Sequence, residues 1–109
     1  EMMRQIPERD WKAWRRLSAD ALERFCSSIL DEVGSFRQRS GSAHSRYLEL
    51  FRHLRERDAQ IATVFNDQRR SNAFQQIAAA VGTGIVSREE LSVFSEDTQA
   101  TVEILTTLS

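Results

Sequence analysis

Few side chains in this sequence have the types and spacing that catalysis or metal binding requires. Glu49 and His53 stand four residues apart, so on one helix face they could supply two ligands to a metal ion. The sequence lacks a second pair of this kind and the Glu-x-x-His pattern of di-metal helical bundles. Cys26 has no recognisable base and is interpreted as a buried thiol. We therefore predict no catalytic residue, no metal and no cofactor; an enzyme centred on Asp58, or on Glu49 with His53, is the weakest of three hypotheses.

Asp58 is a carboxylate that interrupts an apolar pattern. On a helical wheel it falls between residues such as Leu54 and Ile61, in the middle of a face predicted to be buried. A buried carboxylate must be paired, hydrogen-bonded or neutral. We expect Ser18 and Arg15 on the preceding helix to be its partners, in a buried polar contact that fixes the register of the two helices. The alternative is that Asp58 is a functional carboxylate.

Basic side chains are concentrated in the middle of the chain. Residues 37–70 carry eight basic and four acidic side chains, whereas residues 71–109 carry one and five. Arginine binds phosphate well, so this region is a candidate contact for an anion, a nucleic acid or a protein partner. The candidate contact residues are Arg52, Arg55, Arg69 and Arg70. Aromatic residues for base stacking are not interleaved with them, which favours salt bridges within the molecule or to a partner over nucleic acid.

A long amphipathic helix, predicted over residues 8–38, must organise the rest of the chain. Its apolar residues recur at three- and four-residue steps, which places them on one stripe of the helix. The stripe consists of Trp11, Trp14, Ala21, Leu22, Phe25, Cys26, Ile29, Val33 and Phe36. Ser18 could begin a new helix, but the stripe keeps its phase across it and we expect continuity. Trp11 and Trp14 are interpreted as core residues, with an exposed aromatic anchor for a partner as the alternative.

Breaks rich in Gly, Ser, Asn and Asp define the later elements. The stretch 34–45 predicts a turn into a second helix at 43–66, so the two long helices form an antiparallel hairpin. Shorter helices are predicted at 71–82, 87–94 and 96–107. Glycine at 82 and 84 suits a left-handed end of the third helix, and Ser87 with Glu90 forms a capping box.

These elements predict an all-α fold, with residues 1–109 forming a single domain. Its architecture is an antiparallel hairpin of two long helices covered by two or three shorter helices, a helical bundle. The face of the second helix expected to pack on the first consists of Tyr47, Leu50, Phe51, Leu54, Ile61 and Phe65. The shorter helices are expected to lie across the open side of the hairpin, where a second copy of the chain could also pack.

Composition limits the class of function. The chain is 40% hydrophobic and 28% charged, with a net charge of −1, so it has no overall electrostatic bias toward nucleic acid or anionic lipid. No apolar run has the length of a signal peptide or a membrane span, and a single Cys suits a reducing compartment, so we expect a cytoplasmic protein without a membrane partner. The first hypothesis is a non-catalytic helical protein–protein interaction module whose partner is another protein or itself, as a homodimer. The alternative is a nucleic-acid or anion-binding module that uses the Arg-rich end of the hairpin.

Overall fold

The computed structural model describes residues 5–108, and this part of the chain is all-α. The elements are α1 (Glu8–Phe36), α2 (Ala43–Phe65), a 3-10 turn (Arg70–Asn72), α3 (Ala73–Gly82), a second 3-10 turn (Glu89–Val93) and α4 (Glu96–Leu108). No strand occurs among the described residues, and the predicted all-α helical bundle is confirmed for them. Two predicted helices differ in detail, because 71–82 opens with a 3-10 turn and the helix predicted at 87–94 is itself 3-10.

α1 and α2 run antiparallel and form a helical hairpin. Near its tip, the Arg46 guanidinium donates to the carbonyl oxygen of Arg37 at 2.8 Å. At its other end, the Gln68 side-chain amide donates to Ser18 Oγ at 2.8 Å. Residues early in α1 thus meet residues after α2, and residues after α1 meet residues early in α2. α1 is unbroken at Ser18.

Local chemistry fixes the turn between the two long helices. Gly41 has a φ of 109°, which lies in the left-handed region that glycine adopts without a steric penalty. Ser42 is the N-cap of α2, and its Oγ accepts a hydrogen bond from the Ser45 amide at 3.0 Å. The chain therefore reverses within a few residues, and α2 returns along α1.

The C-terminal end of α3 is a Schellman motif. Gly84 has a φ of 78°. The amides of Gly84 and Ile85 donate to the carbonyl oxygens of Val81 at 3.0 Å and Ala80 at 2.9 Å. The left-handed glycine expected at the end of this helix is therefore Gly84.

The corner after α3 is tied to α1 through Glu90. The Ser87 amide donates to Glu90 Oε1 at 2.9 Å and the Glu90 amide donates to Ser87 Oγ at 3.2 Å, so the predicted capping box forms. The Arg24 guanidinium on α1 donates to both carboxylate oxygens of Glu90, at 2.8 and 3.2 Å. These hydrogen bonds, first the one from Arg24 and then the one from the Ser87 backbone, outweigh partial burial and hold the pKa of Glu90 below its ordinary value.

The hydrophobic core lies at one end of the hairpin, which we call the proximal end. Its fully buried members from the long helices are Trp14, Ala21 and Val64. The later elements supply Ala73, Phe74, Ile77, Ala78, Ala80, Ile85, Val86, Leu91, Phe94 and Val102. Trp11 is partly buried against the same cluster. Trp14 is therefore a core residue, and Trp11 lies at the edge of the core.

The distal half of the hairpin, residues 26–59, projects beyond this core. The molecule is 56 Å long but only 25 by 22 Å across. Ile29 and Phe36 are buried along α1 but lie outside the main core cluster. The prediction that the shorter helices lie across the open side is therefore wrong for the distal half. The reason is length, because α3 and α4 span about 15 and 20 Å whereas α1 spans about 43 Å.

Candidate interaction surface

An exposed apolar surface lies on the distal half of the hairpin. It consists of Leu30, Tyr47, Leu48, Phe51 and Leu54, which are 74%, 60%, 43%, 51% and 39% exposed. We call these five side chains the distal surface. The sequence predicted that Tyr47, Phe51 and Leu54 pack on α1, and their exposure shows that this prediction is wrong. So many large apolar side chains exposed on one half of a hairpin are unusual for a monomeric protein.

The distal surface is exposed because α2 contacts α1 through a different edge. Glu32 Oε1 on α1 lies 2.6 Å from His53 Nε2 and accepts a hydrogen bond from Arg57 Nε at 3.3 Å. His53 and Arg57 are four residues apart and therefore lie on one face of α2. A helix turns by about 100° per residue. When His53 and Arg57 face α1, Phe51 and Leu54 therefore lie on other sides of α2 and point to solvent.

The polar contact between the two helices is electrostatically favourable. The hydrogen bond that Glu32 accepts from His53 lowers the pKa of the Glu32 carboxyl, partial burial raises it, and Arg57 lowers it further, so the pKa lies below its ordinary value. Glu32 is therefore readily ionised and joins α1 to two side chains of α2. The distal half thus holds its helices together in part by polar groups.

The α2 part of the distal surface reaches Val33 of α1. The rings of Tyr47 and Phe51 stack with centroids 6.5 Å apart and planes inclined by 23°. Phe51 and Leu48 line one shallow groove on α2. Tyr47 lines a second groove together with Val33 of α1, and Leu30 lies one turn from Val33 on the same helix. One apolar path therefore runs from Val33 of α1 through Tyr47 and Phe51 to Leu48 on the outer side of α2.

Charged side chains of both signs border the groove on α2. Arg52, Arg55 and Glu56 line it beside Phe51, and the Arg55 guanidinium carbon lies 5.8 Å from the Phe51 ring centroid. Asp58 follows, and it too is exposed. The groove is therefore bordered by two basic residues and one acidic residue, and Asp58 is not among the residues that line it.

The exposure of Asp58 contradicts the buried polar contact predicted for it. Ser18 is buried, but its Oγ donates to the carbonyl oxygen of Arg15 at 3.0 Å and accepts from Gln68 at 2.8 Å. The Arg15 side chain is exposed, with its guanidinium carbon 6.0 Å from the Trp11 ring centroid. The cause is the orientation of α2. Because His53 and Arg57 face α1, Asp58 faces solvent.

The four arginines predicted to contact an anion do not share one surface. Arg52 and Arg55 border the groove on the distal half. Arg69 pairs with the Asp67 carboxylate at 2.5 Å, and Arg70 donates to a backbone carbonyl just before α1 at 2.8 Å. Roughly 15 Å of helix separates Arg55 from the end of α2, so a small anion cannot contact both pairs.

Glu49 and His53 are held by different partners. The Arg39 guanidinium lies 3.7 Å from the Glu49 carboxylate, and His53 lies against Glu32. Among residues 5–108, no three His, Cys, Asp or Glu side chains lie close enough together to hold a metal ion. Cys26 is a half-buried free thiol.

Asp10 is a buried carboxylate that the sequence pattern alone does not predict. It is fully buried and accepts hydrogen bonds from the Ser95 amide at 2.9 Å, the Ser95 hydroxyl at 2.6 Å and the Thr98 hydroxyl at 2.5 Å. These donors lie at the N-terminal end of α4, so Asp10 caps a helix that is remote in sequence. A signal was available, because Asp10 precedes Trp14 and Ser18 at four-residue steps on the buried stripe of α1.

Comparison with protein-family models, curated proteins and solved structures finds no match for this chain. No helix within residues 5–108 is long and apolar enough to span a membrane. The cytoplasmic location and the single-domain organisation stay predictions.

Proposed function

We propose that this chain is a non-catalytic helical module that binds another polypeptide through the distal surface. The observation that carries the proposal is the exposure of Tyr47, Leu48, Phe51 and Leu54 along α2, with Leu30 on α1, in the part of the hairpin that the rest of the fold leaves uncovered. Aromatic side chains held on a helix are typical anchors of protein interfaces, because they bury a large area and lose little conformational entropy.

The size of the distal surface supports a binding role. A large aromatic side chain presents about 150–250 Å², so five large side chains that are about half exposed present roughly 400–500 Å². The largest apolar patch on a typical monomeric protein covers about 300–600 Å² and often has a function. A helix-in-groove or helix-on-helix contact would remove this area from water.

Site-specific photo-cross-linking tests the proposal. A photoreactive phenylalanine analogue replaces Phe51, and a matched variant carries it at Ile104, which is 60% exposed on α4 outside the distal surface. In cells that naturally make the chain, we expect a defined polypeptide adduct from position 51 and none from position 104. Mass spectrometry of the adduct identifies the second polypeptide. Equal labelling at both positions, or no adduct at position 51, would show that the proposal is wrong.

A further inference from the structure

We propose that a groove at the tip of the hairpin binds an amphiphilic anion, a small molecule with an apolar body and one carboxylate or phosphate head. The groove lies between the last turns of α1 and the first turns of α2, and we call it the tip groove. Its lining residues include Val33, Gly34, Arg37, Arg46, Tyr47 and Leu50. This ligand is independent of the polypeptide proposed for the distal surface, although Tyr47 contributes to both surfaces.

The apolar part of the tip groove suits the body of such a ligand. Val33 of α1 and Leu50 of α2 are half-buried, and the exposed Tyr47 lines the same groove. The groove has a volume of about 440 Å³, which lies within the range of roughly 300–1,000 Å³ that is common for small-molecule sites. Such sites are lined mainly by apolar side chains, with a few polar groups that orient the ligand.

The charged part of the tip groove has one sign. Arg37 and Arg46 line it, and no acidic side chain is among its lining residues in the part of the chain that the structure describes. By contrast, the groove beside Phe51 is lined by side chains of both signs. A guanidinium pairs with a carboxylate or a phosphate through two parallel N–H groups. The tip groove is therefore complementary in charge to an anionic head.

Arg46 is held in position before any ligand binds. Its Nη1 donates to the carbonyl oxygen of Arg37 at 2.8 Å, and its Nε donates to the carbonyl oxygen of Ser42 at 3.4 Å. A guanidinium has five N–H groups, so three remain without an acceptor among residues 5–108. A cation that is already fixed loses little conformational freedom when it pairs with a ligand.

Gly34 leaves room for the ligand. It lies in the last turn of α1, where glycine stabilises a helix less than alanine does. Apart from its own helix backbone and its chain neighbours, no atom lies within 4 Å of the point where a Cβ would be. Packing therefore does not require glycine here, and a larger side chain would occupy part of the tip groove.

NMR titration of the full chain tests this site. The probes are decanoate and decyl phosphate, each kept below the concentration at which it forms micelles. We expect both to shift the amide signals of Gly34 and Tyr47 saturably, and to leave the amide signal of Gly82, at the end of α3, in place. Acetate has the head without the apolar body, and decyltrimethylammonium has the body with a cationic head. Each should bind at least about tenfold more weakly than decanoate.

Two substitutions separate the apolar part of the site from the charged part. Gly34→Leu fills the groove and should weaken decanoate binding at least about tenfold, while α1 is retained because leucine favours a helix more than glycine does. The matched control is Gly82→Leu, which adds the same side chain at a helix-end glycine with equal room and should leave binding unchanged. Arg37→Gln removes one exposed cation and should weaken decanoate binding about three- to tenfold, without weakening decyltrimethylammonium binding.

Circular dichroism verifies that each variant keeps its helix content. The site is disproved if decanoate causes no saturable shift, if decyltrimethylammonium binds as tightly as decanoate, or if a folded Gly34→Leu binds decanoate like wild type. If Gly34→Leu does not fold, unchanged decanoate binding by Arg37→Gln disproves the site instead. Sedimentation with phosphatidylglycerol vesicles distinguishes a free ligand from a lipid surface, and a chain that sediments with vesicles but does not bind decanoate also contradicts the proposal. None of these results depends on the photo-cross-link from position 51.

Discussion

Removal of the Asp10 carboxylate is expected to destabilise the proximal end severely. Asp10 is fully buried and accepts three hydrogen bonds from Ser95 and Thr98. Hydrogen bonds to a charged group contribute about 1.5–3 kcal/mol each, and a buried donor left without an acceptor costs about 1–3 kcal/mol. The two hydroxyl groups can rotate toward other acceptors, so the contributions do not simply add. We expect Asp10→Ala to lower the free energy of unfolding by about 3–5 kcal/mol.

Urea denaturation and thermal melting measure this loss. A loss of 3–5 kcal/mol corresponds to a fall in Tm of roughly 15–25 °C for a chain of this size. Asp10→Asn keeps one oxygen in place to accept the Ser95 amide, and its side-chain N–H can donate to the hydroxyl groups, so a smaller loss of about 1–2 kcal/mol is expected. Asp31→Ala, at an exposed position on α1, is the control. If Asp10→Ala lowers stability by no more than this control does, the hydrogen-bonded carboxylate does not hold α4 in place.

The same carboxylate predicts how stability depends on pH. Burial alone raises the pKa of Asp10, but the hydrogen bonds from Ser95 and Thr98, with the nearby charge of Arg9, outweigh burial and leave the pKa below its ordinary value. A carboxyl whose pKa is depressed in the folded state contributes stability above its unfolded pKa of about 4. That contribution is lost as the pH falls through the lower, folded pKa. The acid loss of stability should therefore be smaller in Asp10→Asn than in wild type, and an equal loss would contradict this assignment.

Three further sets of substitutions have defined expectations by urea denaturation. Trp14→Ala removes a fully buried ring and should lower the free energy of unfolding by about 3–5 kcal/mol; a loss below about 1 kcal/mol would mean that Trp14 is not a core residue. A double-mutant cycle of Glu32→Gln and Arg57→Gln should give a coupling below about 1 kcal/mol, because both side chains are partly exposed; a larger coupling would show that the contact is shielded from solvent. Glu90→Ala should lower the free energy of unfolding by about 1–2 kcal/mol, because it removes a capping box. Arg24→Ala should lower it by less than about 1 kcal/mol, because that side chain is 53% exposed. A larger loss for Arg24→Ala than for Glu90→Ala would contradict the capping role.

Features set by neighbouring residues could be predicted from the sequence. The capping box depends only on Ser87 and Glu90, and the left-handed end of α3 depends on Gly84, so their chemistry is visible within a few letters. The position of the hairpin turn follows in the same way from Gly41 and the N-cap Ser42. Each of these signals acts over one helical turn and is insensitive to the packing of distant elements.

The two aspartates show why the polar contacts could not be predicted in the same way. Asp58 interrupts an apolar stripe and was expected to be buried, yet it is exposed; Asp10 resembles an ordinary first-turn carboxylate that favours a helix start, yet it is fully buried. Their burial depends on which elements approach them. Ser95 and Thr98 donate to Asp10 although they are more than 80 residues away in the chain. No pattern in the residues around Asp10 predicts this contact.

The orientation of α2 joins the failed prediction to the proposed function. An apolar stripe predicts which side of a helix avoids water, but it does not say which neighbour covers that side. The side of α2 that contacts the rest of the fold contains His53, Arg57 and the buried Val64. Tyr47 and Phe51 lie on other sides of the helix and are exposed. The apolar stripe would be removed from water if another molecule covered it. The apolar face of α2 that this fold leaves in water is therefore the feature from which we infer a second molecule.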